Sequence, residues 1–192
     1  MSLVLTSGPA LEPVTLAEAK AHLRLDSTAD DALLQSLIIT SRLHIEAALG
    51  LALITQSWSW TLDQWPKGQR LSFPLRPVQA VAHVKLWRRD TSSIIVPLTE
   101  FILDGHGNPA RLVPAGLTPL SEPDRPVNGI EVAFTAGFGG APADVPAPIR
   151  HALLLLITHW YEHRAPVEIG AAINAVPVMV SDLLHPYRRR RL

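Results

Sequence analysis

Apolar residues recur at helical spacing near the start of the chain. Thr15 and Glu18 match the capping box, in which each side chain bonds the backbone amide of the other, so a helix is predicted to begin there. Leucines and isoleucines spaced three and four residues apart from Leu34 to Leu49 predict a second helix, and Gly50 is well placed as its C-terminal cap. The pattern predicts a hairpin of two helices, about 10 and about 20 residues long.

The middle of the chain alternates with a period of two, which is typical of strands with one buried and one wet face. In residues 54–62, Trp58 and Trp60 alternate with serine and threonine. Of the 17 prolines, 12 lie in residues 66–148, and proline breaks helices. We therefore expect a small antiparallel sheet or sandwich with a Pro-rich loop at 114–126. The predicted strands are 54–62, 77–87, 94–96, 100–103, 110–113 and 129–135.

A third helical pattern covers residues 149–164 and is apolar on more than one face. Ile149 and Leu153 belong to one stripe, whereas Leu154 and Leu155 add others. A helix that is apolar nearly all round is buried on several sides, which in so small a protein indicates burial against another subunit. Pro166 is expected to end this helix.

The last segment of the chain is first apolar and then basic. Residues 176–187 are too rich in aliphatic side chains for a spacer, so we predict that they dock on a partner. The patterns together predict an α+β protein: a helical part, made of the N-terminal helix hairpin and a long C-terminal helix, with an inserted small antiparallel β subdomain and an extended C-terminal tail. The expected segments are the N-terminal helices at 1–53, the β subdomain at 54–136, the long helix at 144–165 packing with the N-terminal helices, and the docking tail at 166–192.

The composition excludes several classes of protein. With 47% hydrophobic and 18% charged residues, global disorder is ruled out. The chain has no cysteine, which excludes disulfides, thiolate metal sites and cysteine nucleophiles. Its longest aliphatic run, residues 152–157, is far too short to span a membrane. Residues 1–10 lack the features of a secretory signal, so a soluble protein made in a cytoplasm is expected.

The charges balance overall but not locally. The chain has 17 Lys and Arg against 17 Asp and Glu, which argues against a generic basic nucleic-acid binder. Four of those basic residues are Arg188, Arg189, Arg190 and Arg191, so residues 1–187 hold 17 − 4 = 13 basic against 17 acidic side chains. The arginines could neutralise DNA phosphates, clamp carboxylates of a protein partner, or be simply solvated. Tryptophans of the predicted sheet could stack on bases, although core packing is favoured for them.

One short motif suggests catalysis. His159, Glu162 and His163 match H-x-x-E-H, in which two histidines on one helix face bind zinc and the carboxylate activates water. A third protein ligand would have to come from Glu168 or Asp182. The competing and favoured interpretation is a helix end with its polar tips in water, because short motifs match often by chance.

Three stretches of the sequence are specific enough to compare with a family. The first begins with PVTLAEAKAHLRL at residue 13 and continues with DDALL at 30, AALG at 47 and LITQSW at 53; the second runs from VPAPIR at 145 to HWYEHR at 159; the third joins VP at 176 to LLHPYR at 183. These resemble the tailed-phage head–tail connector (adaptor) family, in its long form with a β insertion, as also found in gene transfer agents. Leu51 stands where the family often has Arg, and His163 where it usually has Asn, which weakens the zinc interpretation.

The resemblance implies a structural protein, not an enzyme, that needs no cofactor or metal. Such adaptors form a ring, usually of twelve copies, under the portal protein of the capsid. They extend the channel through which double-stranded DNA passes without sequence-specific binding, and they receive the next connector or stopper protein. The implied location is the neck of a virion or phage-like particle that is assembled in the bacterial cytoplasm. No membrane is expected among the partners.

Two surfaces are assigned under that resemblance. Residues expected at the ring-subunit interface are Leu154, Leu155, Thr158 and Tyr161. Residues expected to bind the portal are Val178, Met179, Leu183, Leu184, Tyr187, Arg188, Arg189, Arg190 and Arg191.

Overall fold

The computed structural model describes residues 1–117, 119–163 and 177–188. They form two compact units, and each unit is assembled from separate stretches of chain. One unit comprises Met1–Ala10 and Gly50–Phe138 and is built of strands; the other comprises Leu11–Leu49 and the described part of Gly139–Leu192 and is built of helices. The predicted α+β class is confirmed.

The β unit contains two antiparallel sheets. The larger has five strands in the order β1-β2-β8-β4-β5, and the smaller has three in the order β3-β7-β6. The strands are β1 (Ser2–Ser7), β2 (Gln56–Leu62), β3 (Leu71–Ser72), β4 (Val78–Trp87), β5 (Ser93–Val96), β6 (Phe101–Asp104), β7 (Arg111–Pro114) and β8 (Ile130–Ala136).

Alternation along the central strands creates the core of this unit. In β8, Ile130, Val132 and Phe134 are all buried while the residues between them are half-buried, because successive side chains point to opposite faces. Phe73 packs between Phe134 and Trp60, with ring centroids 4.9 and 5.8 Å away. The aromatic residues predicted for the strand face therefore belong to the core.

The sequence predicted no strand before residue 54, yet Ser2–Ser7 forms the edge strand β1. It pairs antiparallel with β2, with Leu3 opposite Trp60. Of its residues only Leu3 packs against the core, so the strand lacks the alternation that identifies a half-buried strand in a sequence. Its pairing with a strand fifty residues later depends on tertiary structure.

The described part of the Pro-rich loop is bound to the β unit by side-chain hydrogen bonds. The indole Nε1 of Trp65 donates to the carbonyl oxygen of Ser121 at 2.9 Å. The side-chain amide of Gln69 both accepts from the backbone amide of Leu120 at 2.8 Å and donates to its carbonyl at 3.0 Å. Leu120 is buried, so this loop contributes to the core.

The helical unit contains α1 (Leu16–Leu23), α2 (Asp31–Leu49), α3 (Ala147–Glu162) and α4 (Val178–Leu184). The predicted capping box is present, since Thr15 and Glu18 bond each other's backbone amides. Gly50 follows α2 with φ of 62°, the left-handed conformation expected of a C-terminal cap. Helix α3 ends earlier than predicted, because His163 leaves the helical region at φ −102° and ψ 48°.

The segment predicted to be an extended tail is instead helical where the structure describes it. Helix α4 is followed by a single 3₁₀ turn over His185–Tyr187. Val180 and Leu184 lie four residues apart and are only 0% and 7% exposed, and α4 packs against α3. A four-residue spacing places both side chains on one helix face, which explains why the apolar composition produces a packed helix rather than a free tail.

Candidate interaction surfaces

The start of α1 is connected to α3 through one carboxylate. Glu18 accepts from the amide of Thr15 at 2.8 Å and forms an ion pair with Arg150 of α3. Arg150 also donates from Nε to the carbonyl oxygen of Pro13 at 3.1 Å. Partial burial pushes the pKa of Glu18 upward, but the Thr15 hydrogen bonds and the Arg150 charge outweigh it, so this pKa lies below its usual value. The capping box thus also orients two helices.

Two further polar contacts connect the start of α2 to its neighbours. Lys20 of α1 pairs with Asp31 at 2.7 Å, and the hydroxyl of Tyr161 donates to Asp30 at 2.6 Å. Tyr161 was predicted to face a ring neighbour. The structure places its hydroxyl on a contact between the end of α3 and the start of α2.

A buried charge cluster holds the segment before α1 against α2. Arg42 donates to Glu12 from Nε at 2.7 Å and from Nη2 at 3.2 Å, and from Nη1 to Glu46 at 2.8 Å. The side chain of Arg42 is 8% exposed and that of Glu46 is 10% exposed. Burial lowers the pKa of Arg42, but its two carboxylate partners raise it by more. This cluster was not predicted from the sequence, in which the i,i+4 spacing of Arg42 and Glu46 was the available signal.

The remaining residues predicted for the ring interface lie on α3 and are half-buried: Leu154, Leu155 and Thr158. The hydroxyl oxygen of Thr158 is buried without a hydrogen-bond partner among the described residues. The opposite stripe of α3, led by Ile149 and Leu153, is fully buried. The helix therefore has one face in the core of its own unit and a second, half-covered apolar face.

The residues predicted to bind the portal differ in exposure. Val178 and Met179 are 76% and 61% exposed, whereas Leu184 is buried. Leu183 and Tyr187 are half-buried and Arg188 is exposed. The other arginines of the predicted set, Arg189, Arg190 and Arg191, lie outside the described residues. The burial of Leu184 assigns it to holding α4 on α3, since a side chain in the core is not available to a partner.

The zinc motif is placed at the end of α3. The rings of His159 and His163 have centroids 4.6 Å apart, and Nδ1 of His163 lies 2.8 Å from the carbonyl oxygen of His159. Glu162 and His163 are exposed. Within residues 1–117, 119–163 and 177–188, no group of three or more metal-ligating side chains is gathered; Glu168, a predicted third ligand, lies outside them.

A polar cluster on the outer face of the large sheet was not predicted from the sequence. Glu131 of β8 lies 3.0 Å from Nε2 of His83 and 3.5 Å from Nζ of Lys85, and it accepts from the indole of Trp87 at 3.1 Å. Burial alone would raise the pKa of Glu131. The hydrogen bond to His83 and the positive charge of Lys85 lower this pKa by more than burial raises it, so it lies below its usual value. The polar or amphipathic residues at the alternating positions 83, 85 and 87 were the signal available in the sequence. Their common partner, Glu131, is set by the register of β4 against β8.

None of the described helices is long and apolar enough to cross a bilayer.

Comparison with known proteins supports the family resemblance. Residues 13–96 match the family model described as Phage gp6-like head-tail connector protein, whereas no curated protein matches the sequence. The resemblance identified from the sequence motifs is confirmed.

Three solved structures extend the similarity over the whole chain. A chain in the virion of a native gene transfer agent (GTA) particle is 27% identical with a TM-score of 0.83. A chain in the neck of an empty GTA particle, computed with C6 symmetry, is 27% identical with a TM-score of 0.84. A chain in the neck of a native GTA particle, computed with C12 symmetry, is 26% identical with a TM-score of 0.75. Each similarity covers 100% of this chain and 97% of the other.

Proposed function

We propose that this chain is a structural head–tail connector, an adaptor in the neck of a tailed phage or a phage-like gene transfer particle. The observation that carries the proposal is the similarity to a chain in a GTA particle neck, which covers 100% of this chain at a TM-score of 0.84. The match of residues 13–96 to a head–tail connector family supports it independently. Because the similarity to the neck chain extends over the full length and not over one motif, it argues for a shared structural role.

The proposed assembly is a homo-oligomeric ring of twelve copies that surrounds the DNA channel. The C12 symmetry of one similar neck structure supports this copy number, and the half-covered apolar face of α3 with Leu154, Leu155 and Thr158 supports contact between copies. Closed cyclic symmetry is the usual form of such oligomers. Packaged double-stranded DNA would pass through the ring, and the next connector protein would dock on its far side.

We assign the portal contact to the C-terminal segment, with Tyr187 and the arginines from Arg188 onward as its main contacts. Guanidinium groups bind carboxylates bidentately, so four consecutive arginines suit an acidic portal surface. The rest of the chain, residues 1–187, is mildly acidic, so the chain as a whole is not attracted to DNA. This favours a protein as the partner of the arginine-rich end.

A structural role without catalysis is part of the proposal. His163 has a ring nitrogen within hydrogen-bond distance of the His159 carbonyl, an arrangement that caps the end of α3 and that needs no metal. The tryptophans considered for base stacking have other roles: Trp60 is in the core, and Trp65 donates to the Pro-rich loop. Neither a hydrolase nor a DNA-binding module is favoured by these contacts.

The experiment that tests the proposal is electron microscopy of the protein assembled with its portal. We expect a ring stacked on the portal, in register with its axis. A portal that remains bare at saturating protein would contradict the connector role.

The arginine assignment has its own test, which is co-purification with the portal. Replacing Arg188, Arg189, Arg190 and Arg191 with serine should abolish co-purification while leaving the helical circular dichroism unchanged. A control with the same loss of charge replaces the exposed Arg24, Arg70, Arg88 and Arg89 with serine and should bind as the wild type does. Undiminished binding of the variant at residues 188–191 would refute the assignment.

A further inference from the structure

The helical unit has an apolar groove on its surface. The groove has a volume of about 290 Å³. Leu11 and Ile39, on its two sides, are 54% and 44% exposed, and Leu43, one turn further along α2, is 53% exposed. Contiguous exposed aliphatic surface of this kind usually marks an interaction site. Its apolar lining consists of Leu11, Val14, Leu16, Ile38, Ile39 and Pro142.

The same unit presents a second exposed apolar surface, at the start of α4. At the start of α4, Val178 and Met179 protrude with 76% and 61% exposure, on a helix that Val180 and Leu184 anchor to α3. Helices α2 and α4 each pack on α3, but in the described part of the chain they do not form a packed pair with one another. The groove is lined by α1, α2 and the segments before α1 and α3, whereas the exposed pair lies on α4, so the two are separate surfaces of the unit.

We infer that Val178 and Met179 of one copy fill the groove of the next copy around the ring. The inference rests on the proposed connector function, because it needs neighbouring copies of this chain. A ring is generated by a heterologous contact, in which two different surfaces of the same chain meet, and this unit has two different exposed apolar surfaces, one of which is a groove. Every copy then offers one groove and fills one groove, so a closed ring leaves none empty.

The side chains suit that contact. Methionine is unbranched and flexible and fills irregular apolar spaces, and most of the residues that line the groove are apolar. Val178 and Met179 were predicted from the sequence to bind the portal; this inference moves them to the ring contact. The arginines from Arg188 onward lie beyond the 3₁₀ turn and stay available for the portal.

Disulfide cross-linking in the assembled neck tests the inference. Because the chain has no native cysteine, every disulfide within the ring must form between the introduced residues. The double variant Ile39→Cys/Met179→Cys is assembled on the portal and oxidised. We expect a ladder of covalent multimers on non-reducing gels, up to the full ring. Each single variant should stay monomeric, because the contact joins two different surfaces. The double variant Ile94→Cys/Met179→Cys is the matched control, since Ile94 is 45% exposed, close to the 44% of Ile39, but lies in the β unit.

The outcomes separate this inference from the proposed function. Rings visible on the portal without a cross-linked ladder would overturn the inference and leave the connector role intact. Dimers from the Ile39→Cys variant alone would also overturn it, because they would reveal a contact of the groove with itself. Portals that carry no ring at all would overturn both.

A substitution supplies a second readout. Met179→Asp places a charge in the groove and should lower the fraction of portals carrying a ring at least tenfold, whereas Met179→Leu should leave it unchanged. The melting temperature of the Met179→Asp monomer should match that of the wild type, because this side chain is mostly exposed. Equal ring formation by both variants would refute the contact.

Discussion

Replacing Arg42 with methionine should strongly destabilise the helical unit. The Arg42 guanidinium forms three hydrogen bonds, two to Glu12 and one to Glu46, and its side chain is 8% exposed. Without it, the buried carboxylate of Glu46 and the part-exposed carboxylate of Glu12 lose their common partner. Breaking a buried ion pair by removing one partner costs about 3–5 kcal/mol, a large part of the roughly 5–15 kcal/mol that stabilises a typical domain.

The assay is urea unfolding followed by circular dichroism at the helical band. We expect the midpoint for Arg42→Met to fall by an amount equivalent to about 3–5 kcal/mol. The exposed pair of Arg111 and Asp104, with N and O atoms 2.7 Å apart, is the comparison. Arg111→Met, followed by tryptophan fluorescence of the β unit, should leave the unfolding midpoint close to that of the wild type, because exposed ion pairs contribute little to stability.

A compensated variant tests whether charge is the cause. Changing Glu12 to Gln and Glu46 to Met together with Arg42→Met removes every charge from the cluster. Because apolar replacement of a complete buried ion cluster is often neutral, this triple variant should recover most of the lost stability. A triple variant less stable than Arg42→Met would refute the electrostatic explanation and attribute the loss to packing.

Three other predictions concern packing, backbone conformation and pH. Leu34→Ala removes a side chain that is 0% exposed and should cost about 2–5 kcal/mol in urea unfolding, whereas Leu43→Ala on the same helix, at 53% exposure, should stay within about 0.5 kcal/mol. Gly137 has a φ of 144°, and the Cβ of Gly137→Ala would lie 2.6 Å from a backbone nitrogen, so this variant should destabilise the β unit by more than about 1 kcal/mol. Gly140→Ala, where the added Cβ meets open space, should not destabilise it. Because the pKa of Glu131 is lower in the folded state, its stabilisation is complete above the unfolded pKa and is lost as the pH falls through the lower, folded pKa. The Glu131→Gln variant should therefore show a smaller loss of stability in acid, and an equal loss would contradict the assignment.

The charge contacts distinguish what local sequence can and cannot specify. The Thr15–Glu18 capping box was predicted because both partners lie within one helical turn. Its second role, the ion pair of Glu18 with Arg150, joins residues more than 130 positions apart, and no local pattern specifies such a pair. The same holds for Glu131, whose partners His83, Lys85 and Trp87 are set by the register of β4 against β8.

The α4 segment shows how composition and packing separate. Its apolar residues predicted docking on a partner protein. In the structure, Val180 and Leu184 dock on α3 of the same chain, while Val178 and Met179 remain exposed. A run of apolar residues predicts that something is buried; which side chains are buried, and against what, follows from the face that the neighbouring helix covers.

The sequence by itself determined the mixed α+β class, the two N-terminal helices, the capping box, most strands of the two sheets and the family resemblance, because each of these depends on periodicity or on residues close together in the chain. Only the tertiary structure decided the edge strand β1, the buried Arg42 cluster, the anchoring of α4 and the apolar groove. All four arise where segments far apart in sequence meet. The free energy of such a contact depends on both segments together, so neither segment's own sequence predicts it.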